Sequence, residues 1–319
     1  MNAASIRRKL TRWYHTVKRD LPWRRTGDPY TIWISEIMLQ QTRVAAVIPY
    51  FERFLNHLPN VAALAAVPED TLLALWSGLG YYSRARNLQK AAKEIVARGG
   101  FPQEHAELLQ LSGIGDYTAA AVASIAFGRP HAAVDGNVRR VIARLTNDAD
   151  TDVQIVADQL LDRKDPGAWN QAMMELGATV CIPREPLCDA CPLRNDCAAR
   201  RAGTQSELPG KKKKPDVVRL EKTLLILRRG ETILLVPSPR VSGFWDLPEP
   251  FPGAASGAEL GHFGHQITNK RYRFRVQEAK ARKIPHGAQW FTLETLQEIP
   301  LGTTARKALR LYQEHYTPR

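Results

Sequence analysis

From Ser5 to about residue 180, apolar residues recur at intervals of three and four, as in Ile32-Trp33-Ile34, Ile37-Met38 and Val44-Val47-Ile48. That spacing puts them on single faces of helices. Pro22, Pro29, Pro49, Pro59, Pro68 and Pro102 cut the pattern into short helices. Ile6, Leu10, Trp13 and Val17 predict an amphipathic helix at the start. The same stretch is basic and acid-free before Asp20, which also suits a transit peptide, but no apolar secretory core follows it. After about residue 216 the period shortens. Thr223–Leu227 and Thr232–Val236 flank Arg228-Arg229-Gly230-Glu231, a hairpin signal. Tyr272, Phe274 and Val276 alternate with Arg271, Arg273 and Arg275, predicting a strand with one apolar and one basic face. A helix is expected around Ala305 to Tyr312. Between the two textures, residues 201–216 hold small polar residues, two prolines and the run Lys211 to Lys214. Such a segment cannot bury a core and reads as a linker, or alternatively as a solvated loop. The expectation is a mostly helical domain over 1–200 and a smaller α/β domain over 217–319.

The 319 residues are 44% hydrophobic and 24% charged, which excludes wholesale disorder. The longest strongly apolar run, Tyr117 to Phe127, is too short to span a bilayer, so no membrane partner is expected. The net charge of +13 suggests a polyanionic partner, although charge also aids solubility. It is unevenly spread. Residues 1–198 carry 23 basic against 21 acidic side chains, residues 199–215 carry 6 against 1, and residues 216–319 carry 16 against 10. All four cysteines lie between Cys181 and Cys197, which excludes dispersed disulfides and favours a reducing, cytoplasmic compartment.

Those cysteines are spaced Cys181-x6-Cys188-x2-Cys191-x5-Cys197, close enough for four thiolates to meet one metal centre. Structural zinc usually shows two separated Cys-x2-Cys pairs and only one is present here, so the spacing favours iron–sulfur while leaving zinc open. Leu111-Ser112-Gly113-Ile114-Gly115-Asp116 joins two helical stretches. Its glycines would let the backbone approach a phosphate, with the following helix's amides pointing at it. A plain glycine-rich connection is the alternative. Glu36 is a single acid among apolar and neutral neighbours, where burial would keep it protonated near neutral pH. Asp135 precedes a helix, where it would serve as a cap. Singly each reads as structural; as a pair they suit glycosidic-bond cleavage.

Together these segments resemble the helix–hairpin–helix DNA glycosylases with an iron–sulfur loop. Ser35-Glu36-Ile37-Met38-Leu39-Gln40-Gln41-Thr42, Gly78-Leu79-Gly80-Tyr81-Tyr82-Ser83-Arg84-Ala85-Arg86 and Val134-Asp135-Gly136-Asn137-Val138 are similar to motifs of the adenine DNA glycosylase (MutY) family. The resemblance implies a lobe over about 23–128, a second lobe from 1–22 plus 129–200 and a Nudix-like C-terminal domain. It also implies a structural [4Fe-4S] cluster on Cys181, Cys188, Cys191 and Cys197, in a loop carrying Arg184 and Arg194 towards phosphates. The implied reaction is removal of adenine mispaired with 8-oxoguanine or guanine in duplex DNA, by a bacterial monomer working at the nucleoid. Glu36 would protonate adenine, Asp135 would face the sugar cation, and Tyr117 and Asn137 would orient them. DNA contacts are expected from Gly113, Ile114, Gly115, Gln41, Thr42, Arg24 and Arg84, with Tyr81 wedging beside the lesion. Bifunctional relatives carry a catalytic lysine where this chain has Tyr117, so no Schiff base is expected there. A lyase resembling endonuclease III and a non-catalytic recognition module are the rival readings. The family's lesion-reading loop has a Phe-Ser-His core, where this chain is expected to present Phe263, Gly264 and His265 without the serine hydroxyl. The acidic helix of a Nudix hydrolase is absent after Gly253, so the C-terminal domain is expected to bind rather than hydrolyse.

Overall fold

The structure, a computed structural model, describes residues 2–210 and 216–316. The lysine run expected at the centre of the linker, Lys211 to Lys214, lies outside the described residues. The chain divides into two compact units, Met1–Ala65 with Asn87–Lys213, and Ala66–Arg86 with Lys214–Arg319.

The first unit is helical. Asp28 caps the helix Pro29–Leu39 by accepting from the Thr31 amide, and Pro29 fits the first helical turn, where its missing N–H costs nothing. This helix is apolar on all sides and is buried on all sides, including Glu36. It packs on Asp116–Phe127, whose run of alanines keeps the second helix thin. Pro166–Thr179 also reaches Asp116–Phe127 closely: a methyl group on Gly167 would stand 2.9 Å from the Ser124 carbonyl oxygen. The opening helix, Ala3–Val17, turns Ile6, Leu10 and Tyr14 into a core with Val138, Val141, Trp169 and Met173. Trp13 is partly covered, whereas Val17 is left 47% exposed. Tyr14 rather than Val17 therefore completes the buried face.

The second unit holds a mixed sheet of six strands: β1 (Val218–Arg229), β2 (Thr232–Pro237), β3 (Trp245–Asp246), β4 (Ala254–Ile267), β5 (Lys270–Ala281) and β6 (Gln289–Thr292). The order is β3-β2-β1-β5-β4, with β6 also on β2. β1 and β5 run parallel and the other pairs antiparallel. The expected β1–β2 hairpin turns at Gly230, whose φ of +57° suits a residue without a Cβ. In β5, Phe274 and Val276 are buried and Arg271, Arg273 and Arg275 exposed, as the alternation predicts. Helix Thr303–Tyr316 closes that core with Ala305, Ala308, Leu309 and Tyr312.

Three findings differ from the sequence expectation. Ala66–Arg86, expected within the helical lobe, belongs to the second unit. Phe263, Gly264 and His265 do not form a loop: they lie inside β4, opposite Phe274, Arg273 and Tyr272. The pairing continues to Ile267 opposite Lys270, which moves the hairpin tip to Ile267-Thr268-Asn269-Lys270.

Candidate active site

One cavity of about 660 Å³ lies in the first unit. It brings together Glu36, Gln41, Thr42, Tyr117, Asp135, Asn137 and Arg24 from separated segments of the chain. Glu36 enters from the last turn of Pro29–Leu39, is 6% exposed, and accepts a short hydrogen bond from the Tyr117 hydroxyl on Oε2. Burial pushes the Glu36 carboxyl from an ordinary 4.5 up to about 7; Tyr117's hydrogen bond opposes this, the Asp135 charge adds to it, and Arg24 opposes it. Burial and the neighbouring Glu36 together push the Tyr117 hydroxyl well above its ordinary range. Tyr117 is thus a neutral donor beside an acid poised near neutrality.

Asp135 is the cap of helix Gly136–Thr146: Oδ1 accepts the Val138 amide at 2.7 Å and Oδ2 accepts Asn137 Nδ2 at 2.8 Å. Its cap role and its place in the cavity are therefore the same geometry. Asn137 Oδ1 accepts from buried Arg140 at 2.8 Å, and Arg140 also donates to the carbonyls of Gly177 (2.7 Å) and Cys181 (2.8 Å). The segment ahead of Asp135 is tied by buried Asn170, which accepts the Ala133 amide and donates to the His131 carbonyl. Gly177 makes room for this arrangement, since a methyl group there would meet Asn137 Cβ at 2.6 Å.

Arg24 does not project freely. It donates to the buried carboxylate of Glu175 at 2.8 Å, which also takes a two-pronged contact from Arg19 at 2.7 and 2.8 Å. Burial alone would raise Glu175, but the hydrogen bonds from Arg19 and Arg24 outweigh it and hold the carboxyl below its ordinary range. Glu175, Arg19 and Arg140 were missed by sequence reasoning. The signal that singled out Glu36, one acid inside an apolar helix, is equally present in Met173-Met174-Glu175-Leu176.

The hairpin Gly113, Ile114 and Gly115 lies apart from the cavity lining. Gly113 has φ +75°, and a methyl group there would sit 2.5 Å from Asn87 Cβ, so only glycine suits it. Glu94 pins the turn through the Ser112 amide and hydroxyl at 2.9 and 2.7 Å. Helix Asp116–Phe127 then begins without a side-chain cap, leaving its first amides available to an anion.

All four cysteines line a smaller space with Arg144, Leu187 and Arg194. Arg144 donates to the Cys181 sulfur at 3.3 Å and to the Ile182 carbonyl at 2.8 Å. Among the described residues, no group of three or more His, Cys, Asp or Glu side chains is arranged to hold a metal ion. Arg194 bonds the Asp189 carbonyl at 2.9 Å, and Arg184 has φ +68°.

In the second unit, Tyr81 lies with Tyr82, Arg240, Gln266, Ile267, Thr268 and Lys270 around a cavity of about 700 Å³. Tyr81 and Thr268 both adopt left-handed backbone, at φ +49° and +53°. Phe263 stacks on Phe274, the Gly264 carbonyl accepts from Lys307 at 3.1 Å, and burial with the charges of Lys307 and Arg240 lowers His265. Arg84 lies over the rings of Trp76 and Tyr81.

A helical unit with a glycine hairpin, and an acid near neutrality in one cavity with a fixed aspartate, suit the cleavage of a glycosidic bond. Residues 34–164 match the HhH-GPD superfamily of base excision DNA repair proteins. Adenine DNA glycosylase of Mus musculus is 33% identical over 98% of this chain and 79% of that protein, and the Homo sapiens enzyme is 33% identical over 97% and 74%. Adenine DNA glycosylase of a Buchnera aphidicola strain is 35% identical over 74% of this chain and 70% of its own. The chain belongs to the adenine DNA glycosylase family. Among solved structures, a thermostable thymine-DNA glycosylase superposes with TM-score 0.59 at 28% identity, over 63% of this chain and 97% of that one. A non-covalent endonuclease III–DNA complex superposes with TM-score 0.55 at 26% identity, over 64% and 99%.

Proposed function

We propose that this protein hydrolyses the N-glycosidic bond of adenine opposite 8-oxoguanine or guanine in duplex DNA. The observation that carries the reading is buried Glu36, raised to about 7 and hydrogen-bonded to Tyr117 in the cavity that also holds Asp135. Adenine leaves the stack and enters this cavity, at a cost of about a few kcal/mol. Glu36 in its acid form gives its proton to a ring nitrogen, so the base departs neutral with the glycosidic electron pair. Asp135 faces the positive charge developing on the sugar. Glu36, now a carboxylate, takes a proton from the water that attacks the sugar carbon, and the acid form is restored. The two arginines leave Glu175 anionic, and Glu175 in turn fixes Arg24 at the wall of the cavity.

Tyr117 lines the cavity at the position where the bifunctional relatives are expected to carry their lysine, which supports hydrolysis over a lyase reaction. Borohydride should trap no adduct, and a trapped adduct would favour the endonuclease III-like reading instead.

The four thiols fit a [4Fe-4S] cluster. They border one space, and four thiols are the donor set that such a cluster takes. Bound there, the cluster would hold the loop in shape and supplies no electron to the hydrolysis.

The C-terminal unit is read as Nudix-like and as the reader of the opposite strand. Thr268, at the hairpin tip with Tyr81, takes the lesion-contact role in place of Gly264.

The test is base release from duplexes carrying 8-oxoguanine, guanine or thymine opposite adenine. Adenine should be released from the first two, and pyrimidine release alone would overturn the reading. Thr268→Val should narrow the preference for 8-oxoguanine over guanine; an unchanged preference would return that contact to β4.

A further inference from the structure

Helix Glu69–Trp76 ends at Ser77, and the loop that follows turns through Gly78 (φ +108°), Gly80 (+71°) and Tyr81 (+49°) before helix Ser83–Ala97. Tyr81 is 52% exposed yet keeps a backbone conformation that tyrosine rarely adopts. Such a conformation persists only where the surroundings impose it. Part of the constraint is local: Trp76 donates to the Gly80 carbonyl at 3.2 Å, and Arg84 donates to the Leu79 and Gly80 carbonyls.

The rest comes from residues more than 150 positions later. The buried Ser77 hydroxyl donates to the Leu301 carbonyl at 2.8 Å and accepts from Arg306 Nε at 2.9 Å. At the other end of the loop, Tyr82 packs on buried Phe244 with ring centroids 4.1 Å apart, and Arg86 donates to the Ser242 carbonyl. Gly243, at φ +76°, allows this approach; a methyl group there would meet Leu73 at 3.3 Å. Both ends of the Tyr81 loop are therefore held by C-terminal residues of the same unit.

We propose that Ser77 and Arg306 are positioning residues for Tyr81. The C-terminal unit sets the angle at which the tyrosine meets the duplex, so tyrosine insertion and reading of the opposite strand form one binding event. This rests on the reading of Tyr81 as a wedge.

The experiment is a double-mutant cycle on the whole 319-residue chain as purified. Ser77→Ala and Arg306→Ala are each made with Tyr81 present and with Tyr81→Ala. Dissociation constants are measured for a duplex carrying 8-oxoguanine opposite a non-cleavable 2′-fluoro-deoxyadenosine, beside thermal midpoints. Each variant should weaken binding roughly fivefold or more when Tyr81 is present and less than about twofold when it is absent, with equal midpoint shifts in both backgrounds. The same loss in both backgrounds would mean a merely structural role and overturn the proposal alone. If Tyr81→Ala itself leaves binding unchanged, the wedge reading fails and the proposal falls with it. Ser77→Ala removes only one oxygen and keeps the test usable should Arg306→Ala not fold.

Discussion

Replacing Glu36 by glutamine should end catalysis and, above neutral pH, make the protein more stable. Glu36 holds its proton more tightly folded, at about 7, than unfolded, at 4.5. The stability linked to that proton is therefore complete below pH 4.5 and lost as pH rises through 7, where the folded protein must carry a buried anion. The gap, at about 1.4 kcal/mol per pH unit, amounts to about 3 kcal/mol. Glutamine fills the same space, still accepts from Tyr117 through its amide oxygen, and never ionises. Urea unfolding of wild type and Glu36→Gln, followed by tryptophan fluorescence, should give similar stability at pH 4.5. At pH 8 the variant should be ahead by about 3 kcal/mol. Wild-type single-turnover excision should also fall about tenfold per pH unit above 7, as the acid form is lost. A stability difference that does not change with pH, or a less stable variant at pH 8, would refute this account of Glu36.

Arg140→Met leaves the Asn137, Gly177 and Cys181 oxygens without their shared donor. Excision should drop by roughly 10–100-fold while duplex affinity holds within about threefold; equal losses in both would count against a role specific to Asp135. Gly177→Ala should displace Asn137 and cost about 1–3 kcal/mol of stability, with a larger loss in rate than in binding. Unaltered turnover would show that Asn137 yields without consequence. Changing Lys211 to Lys214 to alanine should flatten the salt dependence of DNA affinity, by about 0.9 in log–log slope for each phosphate the lysines neutralise. An unchanged slope would assign that grip to other residues.

The candidate catalytic residues, Glu36 and Asp135, were legible because their signal is local. A carboxylate in an apolar helix and an aspartate ahead of a helix can each be recognised within ten residues. Glu175 carries the first of these signals, but its purpose depends on Arg19 and Arg24, more than 150 positions away. The hairpin tip could not be read from Phe263-Gly264-His265 because polar and small residues continue on both sides. Only the pairing of Ile267 with Lys270 sets the register. The membership of Ala66–Arg86 was hidden for a similar reason: its helical period is ordinary, and its partners come from Val241–Trp245 and Leu301–Arg306.

The bond between Ser77 and Leu301 closes a loop of 224 residues. A ribosome adding about 5–20 residues per second needs on the order of 10–45 seconds to make that stretch. The cavity around Glu36 and Asp135, whose last lining residue is Ala178, can assemble while most of the second unit is still untranslated. A nascent chain thus holds Glu36 and Asp135 before the C-terminal support for the Tyr81 loop exists. Synthesis itself delays completion of the Tyr81 loop until the last helix has emerged.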